Sequence, residues 1–202
     1  MLTWPVASLG LVSSMVQEAE KTIKRINEFM KIEPDIVNNN PEPSKINGSI
    51  VFENVSFTYD DTNITALKDI SFDINKGETL AILGKTGSGK STILSLISRL
   101  YDVTAGVILI DGKPISKLNL FDLRDSIGIV PQDAFLFSDS IKNNIKFGKE
   151  EATESEVIAA AKKAVVHDNI ANFTLQYETI LGERGITLSG GQKQRVSIAR
   201  AI

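Results

Sequence analysis

The chain has 202 residues, 42% hydrophobic and 23% charged, with 22 Lys+Arg against 25 Asp+Glu for a net charge of -3, one His and no Cys. Absence of Cys removes disulfide frameworks, thiolate nucleophiles and Cys-ligated zinc, and a single His argues against a His-rich metal site. The near-balanced charge speaks against an electrostatic nucleic-acid binder and the apolar fraction against a disordered chain, which leaves globular material of one domain plus an appendage.

Met1 to Gln17 carry no charge, but Pro5, Gly10, Ser13 and Ser14 interrupt them, and the stretch falls short of the ~20 apolar residues of a spanning helix. It also lacks the basic region and cleavage site of a secretory signal. Val12, Met15, Val16, Ala19, Ile23, Ile26 and Met30 then recur at spacings of three and four, which predicts an amphipathic helix. Such a helix either packs on its own domain or continues a membrane helix. Residues 33–48 concentrate Pro, Asn and Gly without a period and read as a linker.

Alternation resumes with Ile50 and Phe52, then Val55, Phe57 and Tyr59, its phase shifting near Glu53-Asn54 as a β-bulge would shift it. Ile70, Phe72 and Ile74 predict a second strand ending at Lys76-Gly77. Thr79 to Leu83 is a nearly continuous apolar run of the kind buried on both faces of a parallel sheet. Residues 90–100 predict a helix, and 107–110 and 127–130 further strands. Thr153-Glu154-Ser155-Glu156 is a capping box opening an Ala-rich helix, followed by a short helical stretch at 169–173, so a helical subdomain is expected over about 138–187. The fold class expected is α/β, with a mixed sheet, an N-terminal antiparallel β part and the inserted helical subdomain.

Gly84-Lys85-Thr86-Gly87-Ser88-Gly89-Lys90-Ser91 satisfies G-x-x-x-x-G-K-[ST] between an apolar run and a helix. Gly84, Gly87 and Gly89 let successive N–H groups turn inward toward phosphate oxygens, and the helix start adds its positive end. Lys90 then neutralises phosphate charge, and Ser91 offers a hydroxyl to Mg²⁺, which prefers hard oxygen ligands. Thr86, Ser88 and Thr92 complete the expected contacts to a nucleoside triphosphate. Leu188-Ser189-Gly190-Gly191-Gln192 opens a second helix and is either another anion site or a Ser cap with flexible glycines.

Leu188 to Gln192 is identical to the signature of the ATP-binding cassette (ABC) ATPases, and with the phosphate loop and Pro131-Gln132 in order the chain resembles the P-loop nucleotide-binding domain of an ABC transporter. The resemblance implies that Tyr59 stacks on adenine, although a core aromatic is the plain alternative. It implies that Gln132 reaches the Mg²⁺ and attacking-water region, against a solvated turn residue. It gives Leu188, Ser189, Gly190, Gly191 and Gln192 to a nucleotide held by a second nucleotide-binding domain. Phe135 to Phe137 and Ile141 to Ile145 resemble the surface that exporters turn toward a transmembrane domain, and Gly182-Glu183-Arg184-Gly185 resembles an exporter interface. With the amphipathic helix of residues 1–32 and the linker, this looks like an exporter whose membrane and ATPase domains share one polypeptide, the domain of 49–202 lying at the cytoplasmic face of a bacterial inner membrane and using ATP and Mg²⁺ without any nucleic acid.

Phosphoryl transfer needs a second metal-holding Asp and a group that positions water, and the ten residues after the signature contain neither. Asp111 follows an apolar run but precedes Gly112 and lies before the signature, so it is not read as a metal ligand, and His167 is expected at the surface. The chain also ends inside a predicted helix, which reads as a cut through an incomplete core. We therefore expect the 202 residues alone to be marginally stable and hydrolytically inactive. Two alternatives stay open, a soluble ABC-type ATPase of DNA maintenance and a nucleotide-binding module without hydrolysis. No sustained heptads between Lys90 and Leu188 support the first.

Overall fold

A computed structural model of the chain describes residues 3–182 and 188–202. Strands β1 (Ile50–Tyr59) and β2 (Ile64–Ile74) form an antiparallel pair, and β1 also pairs antiparallel with β3 (Ala105–Ile110), which is followed by the short β4 (Lys113–Pro114). The sheet order is β2-β1-β3-β4. Phe52 and Phe72 sit directly opposite each other on β1 and β2 and stack with ring centroids 4.4 Å apart. The phase shift expected near Glu53-Asn54 is a bulge: the register slips between Phe52 and Val55, and Asn54 has φ 49°. Phe52, Val55 and Phe57 consequently all face the core. Gly106 of β3 lies under the bulge at φ 81°, where a Cβ would run into the Glu53 and Asn54 carbonyls.

Two hydrophobic cores result. The first joins the sheet to helix α2 (Lys90–Ile97) and helix α3 (Leu120–Asp125), with Val55, Leu96 and Leu123 fully enclosed. The second joins α4 (Ile141–Lys146), α5 (Glu154–Lys163), α6 (His167–Ala171) and α7 (Gly190–Ala201) around Leu136, Ile141, Ala161 and Val196. The capping box opening α5 forms as expected, with Thr153 and Glu156 bonding reciprocally. Helices α3 and α4 have no counterpart in the sequence reading. Asn119 and Ser140 cap them.

The long helix α1 (Thr3–Met30) leaves its apolar residues, among them Trp4, Met15, Ile23 and Phe29, exposed. No helix among the described residues is long and apolar enough to cross a membrane. The irregular stretch that follows is docked on the sheet domain by polar side chains. Asn38 Oδ1 accepts from Leu120 N–H, Asn40 Nδ2 donates to the Lys117 carbonyl, and Asn119 N–H donates to Ser44 Oγ.

Two strand expectations are corrected. Neither 79–83 nor 127–130 belongs to a sheet, and every ladder among the described residues is antiparallel, so the parallel part of the expected mixed sheet does not form. A strand exists through its hydrogen-bonded neighbour, and no described segment offers these two runs a ladder. Leu80, Leu83 and Ile129 are exposed as a result.

Candidate functional site

Gly89 is the hinge of the phosphate loop. It caps α2 in the left-handed conformation, φ 85°, and a Cβ there would collide with the Ala66 carbonyl of β2 and stand 2.8 Å from Leu67 Cδ2. Only glycine lets the loop turn into the helix while touching the sheet. Gly87 is left-handed too, φ 81°, and Ser88 N–H donates to the Lys85 carbonyl at 3.2 Å. Lys90 Nζ folds back over this turn, donating to the carbonyls of Gly84 at 2.9 Å and Lys85 at 2.7 Å. Among the described residues the ammonium is thus held by neutral oxygens alone, at the positive end of α2, which suits it to an anion. Gly84, Lys85, Thr86, Gly87 and Ser88 are exposed, and so is Ser91, for whose hydroxyl no hydrogen bond is formed among the described residues.

Tyr59, the last residue of β1, reaches the same place. Its hydroxyl shares a 3.1 Å hydrogen bond with Thr92 Oγ1 on the first turn of α2. Thr92 is buried, so its hydroxyl serves Tyr59 in this structure. Gln132 is exposed on the segment after Pro131.

The signature residues open α7. Ser189 Oγ accepts from Gln192 N–H at 3.3 Å, and Gln192 Oε1 accepts from Ser189 N–H at 2.9 Å, a closed capping box. Leu188 is buried in the helical core, whereas Ser189, Gly190 and Gly191 face outward. No hydrogen bond among the described residues joins this turn to the phosphate loop. The loop and the signature turn are thus two glycine-containing helix starts that share no hydrogen bond among the described residues.

Helix α7 also holds the segment that carries Gln132. Gln194 Nε2 donates to the Pro131 carbonyl at 3.2 Å. Arg200 donates from Nε to the Asn144 carbonyl at 2.9 Å, from Nη1 to the Phe135 carbonyl at 3.1 Å and from Nη2 to Asn144 Oδ1 at 3.2 Å. Its guanidinium also lies 5.6 Å from the ring centroids of both Phe137 and Phe147. Burial pushes its pKa down. Leu136, Ile141 and Ile145 are core, while Phe135, Phe137 and Phe147 are exposed, so this stretch is both packing and surface.

Other sequence expectations resolve locally. The Asp111 carboxylate accepts N–H bonds from Asn47 at 2.5 Å and Ser49 at 3.1 Å, which hold its pKa below the usual value, and it ties down the end of the linker. His167 is half-buried, its Nδ1 2.8 Å from the Tyr177 hydroxyl, and not a plain surface residue. Of the expected interface Gly182-Glu183-Arg184-Gly185, the residues from Glu183 on lie outside the described residues. Sequence reading missed Arg200, which belongs to no motif and bonds to residues distant in the chain.

The ABC transporter family model matches residues 67–202. The chain is 42% identical over 203 residues to the ABC transporter ATP-binding protein YknU of Bacillus subtilis, covering 100% of this chain and 35% of that one. It is 44% identical over 204 residues to the ATP-dependent lipid A-core flippase of Syntrophus aciditrophicus, covering 100% and 34%. The structure of a bacterial Atm1-family ABC exporter with ATP bound superposes with a TM-score of 0.87 at 40% identity, covering 99% of this chain and 35% of that one. The chain thus spans about a third of the length of the relatives it matches.

Proposed function

The chain belongs to the ABC transporter family, and from that premise we propose that it is the nucleotide-binding domain of an exporter, binding ATP to drive transport across a membrane. The observation that carries this reading is the Lys90 ammonium laid over the Gly84 and Lys85 carbonyls at the start of α2. A triphosphate entering the loop takes over those contacts, exchanging two neutral acceptors for anionic oxygens, so that attraction between opposite charges replaces attraction between a charge and a dipole. The glycine turns present N–H groups to the same oxygens.

No group of three or more His, Cys, Asp or Glu side chains among the described residues could hold a metal by itself. Ser91 and Gln132 supply neutral oxygens only, which fits Mg²⁺, an ion commonly held by few protein ligands plus the substrate's phosphates. Bound there, it would shield charge between phosphates. Gln132 positions water beside the terminal phosphate, and Tyr59 takes the adenine.

The separation of the loop from the signature turn supports a two-chain site: Ser189 to Gln192 face a nucleotide on a second nucleotide-binding domain. The relatives' greater length supports a transmembrane domain in the same polypeptide, met by Phe135, Phe137 and Phe147, with α1 leading to it and residues 49–202 at the cytoplasmic face of a bacterial inner membrane. Without a Walker-type acid pair, the 202 residues bind ATP and do not turn it over.

Calorimetric titration of the chain with Mg-ATP tests the reading. Binding that Lys90→Ala weakens by about tenfold or more is expected, since a charge-assisted contact contributes ~1.5–3 kcal/mol. Binding indifferent to that substitution, or Lys90-dependent turnover by the chain alone, contradicts the corresponding half of the proposal.

A further inference from the structure

Tyr59 stands in a small aromatic group that no sequence motif describes. Its ring lies 4.8 Å from Phe57 at 82° and 5.4 Å from Tyr101 at 86°, and Phe57 and Tyr101 are themselves 5.3 Å apart. The two pairs that include Tyr59 are edge-to-face, the Phe57–Tyr101 pair is tilted at 46°, and all three distances are within the favourable range for aromatic pairs. Two rings at right angles to Tyr59, together with the hydroxyl bond to Thr92, define both the plane and the tilt of its ring. Phe57 is buried in the core, whereas Tyr101 is 44% exposed, so Tyr101 contributes far less to packing than its size allows.

The loop that carries Tyr101 is braced on both sides. Arg99 is left-handed, φ 48°, and nearly fully buried, and donates to both oxygens of Asp102, at 2.9 Å from Nε and 3.3 Å from Nη2. Arg124 Nη2 donates to the Arg99 carbonyl at 2.9 Å. Farther on, Thr104 N–H donates to the Ser56 carbonyl and Thr58 N–H to Thr104 Oγ1, both at 3.0 Å, fastening the loop to β1 beside Tyr59. A buried arginine in a strained conformation and a clasp to β1 are more than a surface loop needs to hold one half-exposed tyrosine. They fix where that ring sits.

We propose that Tyr101 is a positioning residue for the purine base of the nucleotide, holding the Tyr59 ring in the orientation on which the base stacks. The assignment rests on the reading of Tyr59 as the base-stacking residue. Tyr101 makes no contact with the phosphate loop through its hydroxyl, so its action is on the base half of the ligand and passes through ring packing.

The test compares ATP with inorganic tripolyphosphate, a probe with phosphates and no base, by calorimetric titration of the full chain in the presence of Mg²⁺. Tyr101→Ala is expected to weaken ATP by about two- to tenfold, the equivalent of one lost aromatic pair, and to leave tripolyphosphate unchanged. Tyr101→Phe, which keeps the ring, is expected to restore ATP binding. If Tyr101→Ala weakens both ligands equally, or weakens neither while Tyr59→Ala weakens ATP alone, the positioning role is wrong and the Tyr59 reading survives. If Tyr59→Ala also fails to separate ATP from tripolyphosphate, the base-stacking reading falls and this inference with it. Should Tyr101→Ala not fold, Tyr101→Leu, which keeps apolar bulk without a ring, decides by the same ratio.

Discussion

Val107–Ile110 and Leu80–Leu83 are runs of similar composition with opposite outcomes. The first lies in β3 between β1 and β4, and Ile108 is 1% exposed. The second borders an open groove of about 440 Å³ lined by Leu67, Ile70, Phe72 and Ile93, and Leu83 is 92% exposed. What separates them is the availability of a neighbour. β3 finds the edge of β1, whose other side already carries β2, whereas residues 79–83 lie across the groove from β2 and form no ladder with any described strand. An apolar run states that a segment is to be buried. It does not state by what.

The largest test of this contrast is stability. Phe52→Ala removes a fully enclosed ring stacked on Phe72 and is expected to cost about 3–5 kcal/mol, read from urea unfolding midpoints. Leu83→Ala on the open run is expected to stay within about 0.5 kcal/mol. Comparable losses at both positions would mean that the open run is covered in solution, and the contrast would be broken.

Run 127–130 is intermediate, because α7 closes over one side of it. A Cβ on Gly128 would strike the Ala201 carbonyl, and one on Gly148 the Arg200 carbonyl, so two glycines admit the end of α7. Arg200 then fastens that end to Phe135 and Asn144. Arg200→Ala removes the donor to the Phe135 and Asn144 carbonyls, while Asn144 Oδ1 keeps the Phe137 N–H, and is expected to cost about 2–3 kcal/mol. Arg200→Lys is expected to recover little, since one ammonium cannot span three oxygens and two aromatic faces from a single planar group. Recovery by Lys would show that charge alone, and not the fork, holds α7 in place.

Much of the site was legible because its chemistry is local. Eight consecutive residues make the phosphate loop, five make the signature turn, and both caps of α5 and α7 are written within four residues. The bulge at Asn54 was legible from a shift in alternation. Strand identity at 79–83 was not, because pairing is a property of two segments. Nor were Arg200 and Tyr101, whose partners lie far away in sequence at Asn144 and Tyr59, nor the docking of the linker, where Asn38, Asn40 and Ser44 look like solvated turn residues until the loop at 117–122 receives them.

A smaller perturbation sharpens the β3 side. Gly106→Ala sets a methyl group against the Glu53 and Asn54 carbonyls at a positive φ and is expected to cost about 1–3 kcal/mol. If the bulge, and not the ladder, absorbs the strain, amide exchange will rise at Asn54 and Val55 and stay low at Ile108 and Ile110.

The smallest expected effect lies in the helical core and depends on pH. Lys149 Nζ donates to Glu156 at 2.7 Å, and the backbone and hydroxyl of Thr153 donate to the same carboxylate at 2.7 and 2.9 Å. Together they hold its pKa at about 2, against an ordinary 4.5. A carboxyl whose folded value is depressed stabilises the fold fully above its unfolded value, and that contribution disappears as pH falls through the folded one. The cap of α5 is therefore complete above about pH 4.5 and lost by about pH 2. Because the group is exposed, salt reduces the part due to Lys149 and leaves the Thr153 bonds. Unfolding midpoints of the native chain and of Glu156→Gln should differ at pH 6 and converge near pH 2, with the gap at pH 6 narrowing in high salt. A gap that stays constant across this range would show that the side-chain amide replaces the carboxylate in the cap, and that charge contributes nothing to it.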